Sequence, residues 1–183
     1  MSRKNNKEFT SDPLPKLGIT PYLELMDQTA PKETDRKSAH LGLLMVWLRD
    51  HVLDAMDVEL SPLGITESKL DLLLLLTLHN GREPVTPSSL ADRLGIRRAS
   101  VTALLDWLEK RKWVSREQSE RDRRMIHVSI TPEGRELVHQ ALPVFWSTCA
   151  SLVSDMTPEE QKAAEHILNK LNERIEKRLG VGR

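Results

Sequence analysis

A single cysteine, Cys149, stands in 183 residues, which excludes a disulfide framework and a cysteine-rich zinc site. Aromatic residues are scarce at 4%, with four Trp, two Phe and one Tyr. The apolar weight falls on Leu, Val, Ile and Ala, a balance that suits helices more than a β-sandwich. Net charge is missing too, because 27 Lys and Arg offset 27 Asp and Glu. Such a chain is neither a generally basic nucleic-acid binder nor an acidic disordered tail. No long hydrophobic run occurs. The strongest, Leu72–Leu76, is closed by Asp71 and His79, far short of the about 20 residues that a membrane span needs. Met1–Phe9 is polar and basic with no apolar stretch behind it, so no secretory leader is expected. The economical expectation is a soluble cytoplasmic protein. No Ser/His/Asp arrangement, Gly-rich phosphate loop or paired-carboxylate pocket is visible, so neither an enzyme nor a bound cofactor is expected.

What is present is helical punctuation. Residues 1–17 are polar, hold Pro13 and Pro15 and show no helical period, which predicts a disordered arm. Four Thr-Pro pairs follow, at 20–21, 86–87, 131–132 and 157–158. Threonine accepts a bond from an orphan helical N–H and proline fits the first helical position, so each pair is a candidate helix start. Glu160 completes a capping box at the last of them. Apolar residues at every third or fourth position predict an amphipathic helix over Ala39–Met56. A leucine-rich central helix is expected over Thr66–His79, a short one over Ser88–Leu94 stopped by Gly95, and another over Arg98–Arg111. The period then changes to two, with Met125, His127 and Ser129 alternating with Ile126, Val128 and Ile130, and Trp113–Glu117 lying one loop earlier. That pattern predicts a β-hairpin with a charged tip at Ser119–Arg124. Long helices over Pro132–Met156, kinked at Pro143, and Pro158–Leu179 close the chain.

The expected fold class is therefore mainly α with a small β-hairpin wing. Helix, short helix, glycine turn, helix and charged hairpin are the layout of a winged helix-turn-helix, whose second motif helix enters the major groove while the hairpin meets the backbone or minor groove. Between Arg97 and Arg124 there are nine basic residues against five acidic ones. A neutral chain thus gathers four positive charges in excess on this module, as a DNA-binding face requires. Arg97 and Arg98 stand at the helix N-terminus, where the dipole disfavours cations by about 0.3–1 kcal/mol each. Phosphates or guanine edges would justify that cost; a solvated surface pair is the alternative.

The motifs Leu-Ala-Asp-Arg-Leu-Gly (90–95), Val-Thr-Ala-Leu-Leu-Asp-Trp-Leu-Glu-Lys-Arg (101–111), Glu-Arg-Asp-Arg-Arg (120–124) and Ile-Thr-Pro-Glu-Gly (130–134) resemble the MarR family of bacterial transcription regulators. Leu-Glu-Lys-Arg-Lys-Trp (108–113) and Ala-Leu-Pro (141–143) look most like its EmrR/MprA branch of multidrug-efflux regulators. The resemblance implies four parts: the arm 1–17, N-terminal dimer helices 18–63, a winged DNA-binding domain 64–134 and C-terminal dimerisation helices 135–183. It implies a homodimer on an imperfect palindrome of double-stranded DNA, with Leu41, Leu44, Leu48, Ile167, Leu168, Leu171 and Ile175 at the interface; an intramolecular core is the alternative for those stripes. Carried over by position, Arg97, Arg98, Ala99, Ser100, Thr102 and Ala103 lie on the recognition helix, Arg121, Arg123 and Arg124 on the wing, and Asp122 holds the wing's structure. Many members place Arg where this chain has Ala103, so a thymine methyl is the contact expected there.

The efflux branch also implies a small aromatic or lipophilic effector in the cleft between dimer helices and winged module, with Tyr22, His40, Trp47 and His51 as candidate lining. Trp47 as dimer core is the plainer alternative. Urate is not expected, because Leu78 stands seven residues after Asp71 where urate-responsive relatives keep Arg. Cys149 reads as a structural thiol, since no basic neighbour in sequence would activate it. The six histidines form no HxxxH cluster, and no metal site is expected. A redox- or metal-responsive regulator of the same fold, or a winged module used only for protein contact, are the competing readings.

Overall fold

In a computed structural model, residues 18–79, 84–119, 122 and 125–179 are described. The order is α1 (Ile19–Thr29), α2 (Arg36–Leu60), a 3-10 turn (Ser61–Leu63), α3 (Glu67–Leu78), α4 (Pro87–Leu94), α5 (Arg98–Lys110), β1 (Val114–Gln118), β2 (Ile126–Ile130), α6 (Pro132–Ser151) and α7 (Pro158–Leu179). This is the expected mainly helical chain with one antiparallel hairpin. Two compact units divide within α2, after His51.

The first unit is α1 with the N-terminal half of α2. Asp35 starts α2: its carboxylate accepts from the Lys37 and Ser38 amides and the Ser38 hydroxyl. The Ser38 hydroxyl bond is the main cause holding the Asp35 carboxyl below its usual range. The Thr20-Pro21 pair does not start a helix as the sequence suggests. Gly18 is the N-cap of α1, and both residues sit in its first turn. Proline is tolerated there because first-turn amides have no helical partner.

The second unit holds the apolar core. Leu70, Leu72, Leu73 and Leu76 of α3 are buried, together with Val101, Leu105 and Leu108 of α5. The central role expected of α3 holds, although Leu78 at its end is 79% exposed. The other three Thr-Pro pairs do start helices. Thr86 accepts from the Ser89 amide and Thr131 from the Gly134 amide. Thr157 and Glu160 exchange both bonds of a capping box. α6 stops at Ser151, short of the expected Met156. Beyond Leu152, the N–H groups of Val153, Ser154 and Met156 turn to carbonyls three residues back, and the Ser151 and Ser154 hydroxyls bond local carbonyls. Such serines draw backbone acceptors away from the helical ladder. α6 runs through Pro143, which is exposed and has no N–H to return to the His139 carbonyl.

Candidate nucleic-acid interface

The turn between α4 and α5 is built locally. Gly95 caps α4 at φ 66°, with its N–H on the Ala91 carbonyl. A left-handed residue there costs glycine nothing, and the chain reverses directly into the next helix. Along α5, Val101, Leu105 and Leu108 recur at helical spacing and face the core. Arg97, Arg98, Ala99, Ser100, Thr102 and Ala103 are all exposed. The six recognition-helix residues named from sequence thus share the solvent side. Arg97 occupies the N-cap without a side-chain cap bond, and the first turn holds no acid. First-turn amides and two guanidinium groups therefore stand together at the positive end of the dipole. The Thr102 hydroxyl donates to the Arg98 carbonyl at 3.0 Å.

β1 and β2 pair in a single register, Val114 with Ile130, Arg116 with Val128, and Gln118 with Ile126. Buried Val114, Val128 and Ile130 root the hairpin in the core. The Val128 amide donates to the Val85 carbonyl just before α4. At the far end Ser119 N–H bonds the Met125 carbonyl, and Met125 N–H bonds the Asp122 carbonyl, closing the turn. Asp122 also donates its amide to the Ser119 hydroxyl at 3.4 Å. The wing residues Arg121, Arg123 and Arg124, like the 1–17 arm, lie outside the described residues.

Three features of this module escaped the sequence reading. Arg116, counted among nine basic residues, donates to both Asp106 (2.7 Å) and Glu109 of α5. The Arg116 hydrogen bond is the main cause holding the Glu109 carboxyl below its usual range, and that same bond raises Arg116. Secondly, Arg111 lies 3.4 Å from the Trp107 ring centroid and Lys69 Nζ 4.4 Å, a cation–π cluster at the C-terminal end of α5. Thirdly, Lys112 adopts φ 61°, the only non-glycine residue with positive φ among those described. The two carboxylates three residues apart on α5 were readable as one helix face. Their partner on β1 was not.

In the first unit, Tyr22 and Trp47 stand 5.7 Å apart by ring centroids, and Trp47 and His51 6.3 Å. Three of the four candidate ligand residues therefore form one aromatic row. His40 lies two turns before Trp47 on the same helical face. Cys149 is half-buried in α6.

The MarR family model matches residues 63–125, which hold α3, α4, α5 and β1 and end just before β2. The chain is 28% identical over 160 residues to the transcriptional repressor MprA of Escherichia coli K12, covering 86% of this chain and 90% of MprA. Its fold is similar to apo MarR from E. coli, with a TM-score of 0.62 at 25% identity over 72% of this chain and 95% of that one. A Staphylococcus aureus MepR–DNA complex scores 0.62 at 25% identity, covering 71% and 94%. The chain resembles the MarR family of regulators. It looks like MprA over most of its length, as the 108–113 and 141–143 motifs imply. In a winged helix-turn-helix the hairpin takes the place of the wing and α5 that of the second motif helix. No helix among the described residues is long and apolar enough to cross a membrane.

Proposed function

We propose that this protein is a homodimeric transcriptional repressor that binds an imperfect palindrome through α5 and the wing. Release comes from a small aromatic or lipophilic ligand, and the controlled genes serve efflux or detoxification. The observation that carries the DNA-binding part is the solvent face of α5. Arg97, Arg98, Ser100 and Thr102 project from it on a module with four positive charges in excess. A face used only for protein contact would not need that charge. The names of MprA, a transcriptional repressor, and of the MepR–DNA complex support the same reading.

Exposed apolar stripes support the dimer. Leu41, Leu44 and Leu48 on α2, and Ile167, Leu168 and Ile175 on α7, are all exposed, with Leu171 half-buried between them. Single scattered leucines need no partner, but stripes at helical spacing on two helices do. The aromatic row Tyr22–Trp47–His51 supports a flat apolar effector in the first unit. A ligand that favours one spacing of the two recognition helices shifts DNA affinity by its differential affinity alone.

Footprinting of the protein on its own upstream DNA tests this. Two symmetric half-sites about 10 bp apart are expected. A single asymmetric half-site, or a monomer in ultracentrifugation at micromolar concentration, overturns it. Salicylate-like phenols or lipophilic drugs should then weaken the complex by about 5- to 150-fold. Dissociation by peroxide or zinc but by no aromatic compound overturns the effector class and leaves DNA binding standing.

A further inference from the structure

The geometry points to Arg116 as the positioning residue that aims the wing at DNA relative to the recognition helix; this rests on the DNA-binding reading above. Arg116 sits on β1, yet its guanidinium is held by α5. Nη1 reaches Asp106 Oδ1 at 2.7 Å, and Nε reaches Glu109 Oε2 at 2.9 Å, with Nη2 on the same oxygen. Asp106 and Glu109 are one turn apart on α5, so one planar fork spans two points along the recognition helix.

The rung matters. Arg116 pairs across the hairpin with Val128, whose amide is tied to the Val85 carbonyl. One strand is thus bonded to the chain before α4 and the other to α5, at a single level of the ladder. At and below that level Val128, Val114 and Ile130 are buried; beyond it Glu117, Gln118 and Ile126 are exposed, although Ser119 at the turn is buried. The 116/128 rung thus ties both strands to the rest of the unit before the charged tip. Two to three further residues per strand, at about 3.4 Å each, turn any tilt at that rung into a larger displacement of the tip.

The energetics favour a directional role over a stabilising one. The Arg116 side chain is 24% exposed, but its partners are 37% and 59% exposed. Part-exposed ion pairs add little to stability, and the apolar root already anchors the hairpin. The two carboxylates engage Nε, Nη1 and Nη2 of Arg116 together, which fixes the plane of the guanidinium.

Electrostatics and positioning predict opposite signs for one variant. Asp106→Asn with Glu109→Gln removes two negative charges from a DNA-facing module, which by Coulomb attraction alone tightens binding. If the pair aims the wing, that variant instead binds operator about 3- to 30-fold more weakly. Arg116→Lys keeps the charge but loses the fork, and falls by a similar factor. The wing's own order is read without DNA, by amide exchange at Ser115, Glu117, His127 and Ser129. Faster exchange at these hairpin amides with an unchanged core is expected in both variants. Unchanged or tighter operator binding by the carboxamide variant, or full activity in Arg116→Lys, overturns the inference. Failure of the wild-type protein to bind any duplex while exchange still rises in the variants would instead sink the DNA-binding reading and leave the clamp without a DNA partner.

Discussion

Gly134, in the first turn of α6, stands directly against the Trp113 carbonyl: a Cβ built on it would lie 2.1 Å from that oxygen and 2.9 Å from Ile130 Cγ1. The Thr131 amide and hydroxyl meanwhile donate to the carbonyls of Trp113 and Lys112. The start of α6 is therefore stitched onto the chain between α5 and the wing. The contact on the far side is backbone, which cannot swing away.

Gly134→Ala should consequently destabilise by about 3 kcal/mol or more, at the upper end for overpacking. Denaturant unfolding checks this. A loss below about 1 kcal/mol would mean that the α6 start moves freely.

Lys112 is the opposite case. At φ 61° a lysine bears a left-handed backbone cost that glycine avoids. Lys112→Gly should raise stability by about 0.5–1 kcal/mol once glycine's greater unfolded freedom is subtracted. Thermal unfolding is the measurement, and a fall in the midpoint would contradict the assignment.

The recognition helix and the wing should divide their labour. Replacing Arg98 or Ser100 should change which operator is preferred, by about 1–3 kcal/mol per base pair. Arg123→Ala and Arg124→Ala should weaken binding to all sequences alike and lower the salt slope by about one per lost phosphate contact. Titration against operator and scrambled duplexes at several salt concentrations separates the two. Wing variants that alter preference at constant slope would reverse the assignment.

Acid should loosen the wing. The Glu109 carboxyl is held below its ordinary value of 4.5, chiefly by the Arg116 hydrogen bond. A depressed folded-state value means the stabilisation is fully present above the unfolded value and is lost as pH falls through the folded one. Hairpin amide exchange should therefore be flat from pH 7 to about 5.5, after correction for intrinsic rates, and rise below about 4.5. In Glu109→Gln the acid-dependent rise should shrink. An equal rise in the variant would assign the effect to other carboxylates.

Much of the module was legible because its rules act within a few residues. Thr86, Thr131 and Thr157 each meet an amide three positions on, and Gly95 turns the chain alone. The spacing of Val101, Leu105 and Leu108 suffices to send Arg98, Ser100 and Thr102 outward. Thr20 was misread by the same rule, because the preceding residue, Ile19, is already helical and the cap moved back to Gly18.

The partnerships that give the site its geometry join residues brought close by packing. Arg116 reads along the chain as one more cation. It becomes a clamp only when β1 folds back beside α5 and places the guanidinium between Asp106 and Glu109. Lys69 reaches Trp107 from α3, and Gly134 reaches Trp113 from α6. Periodicity determines which face of an element turns inward. It carries no information on which residue of another element waits there, since that depends on hairpin register and helix packing, which are properties of the assembled core.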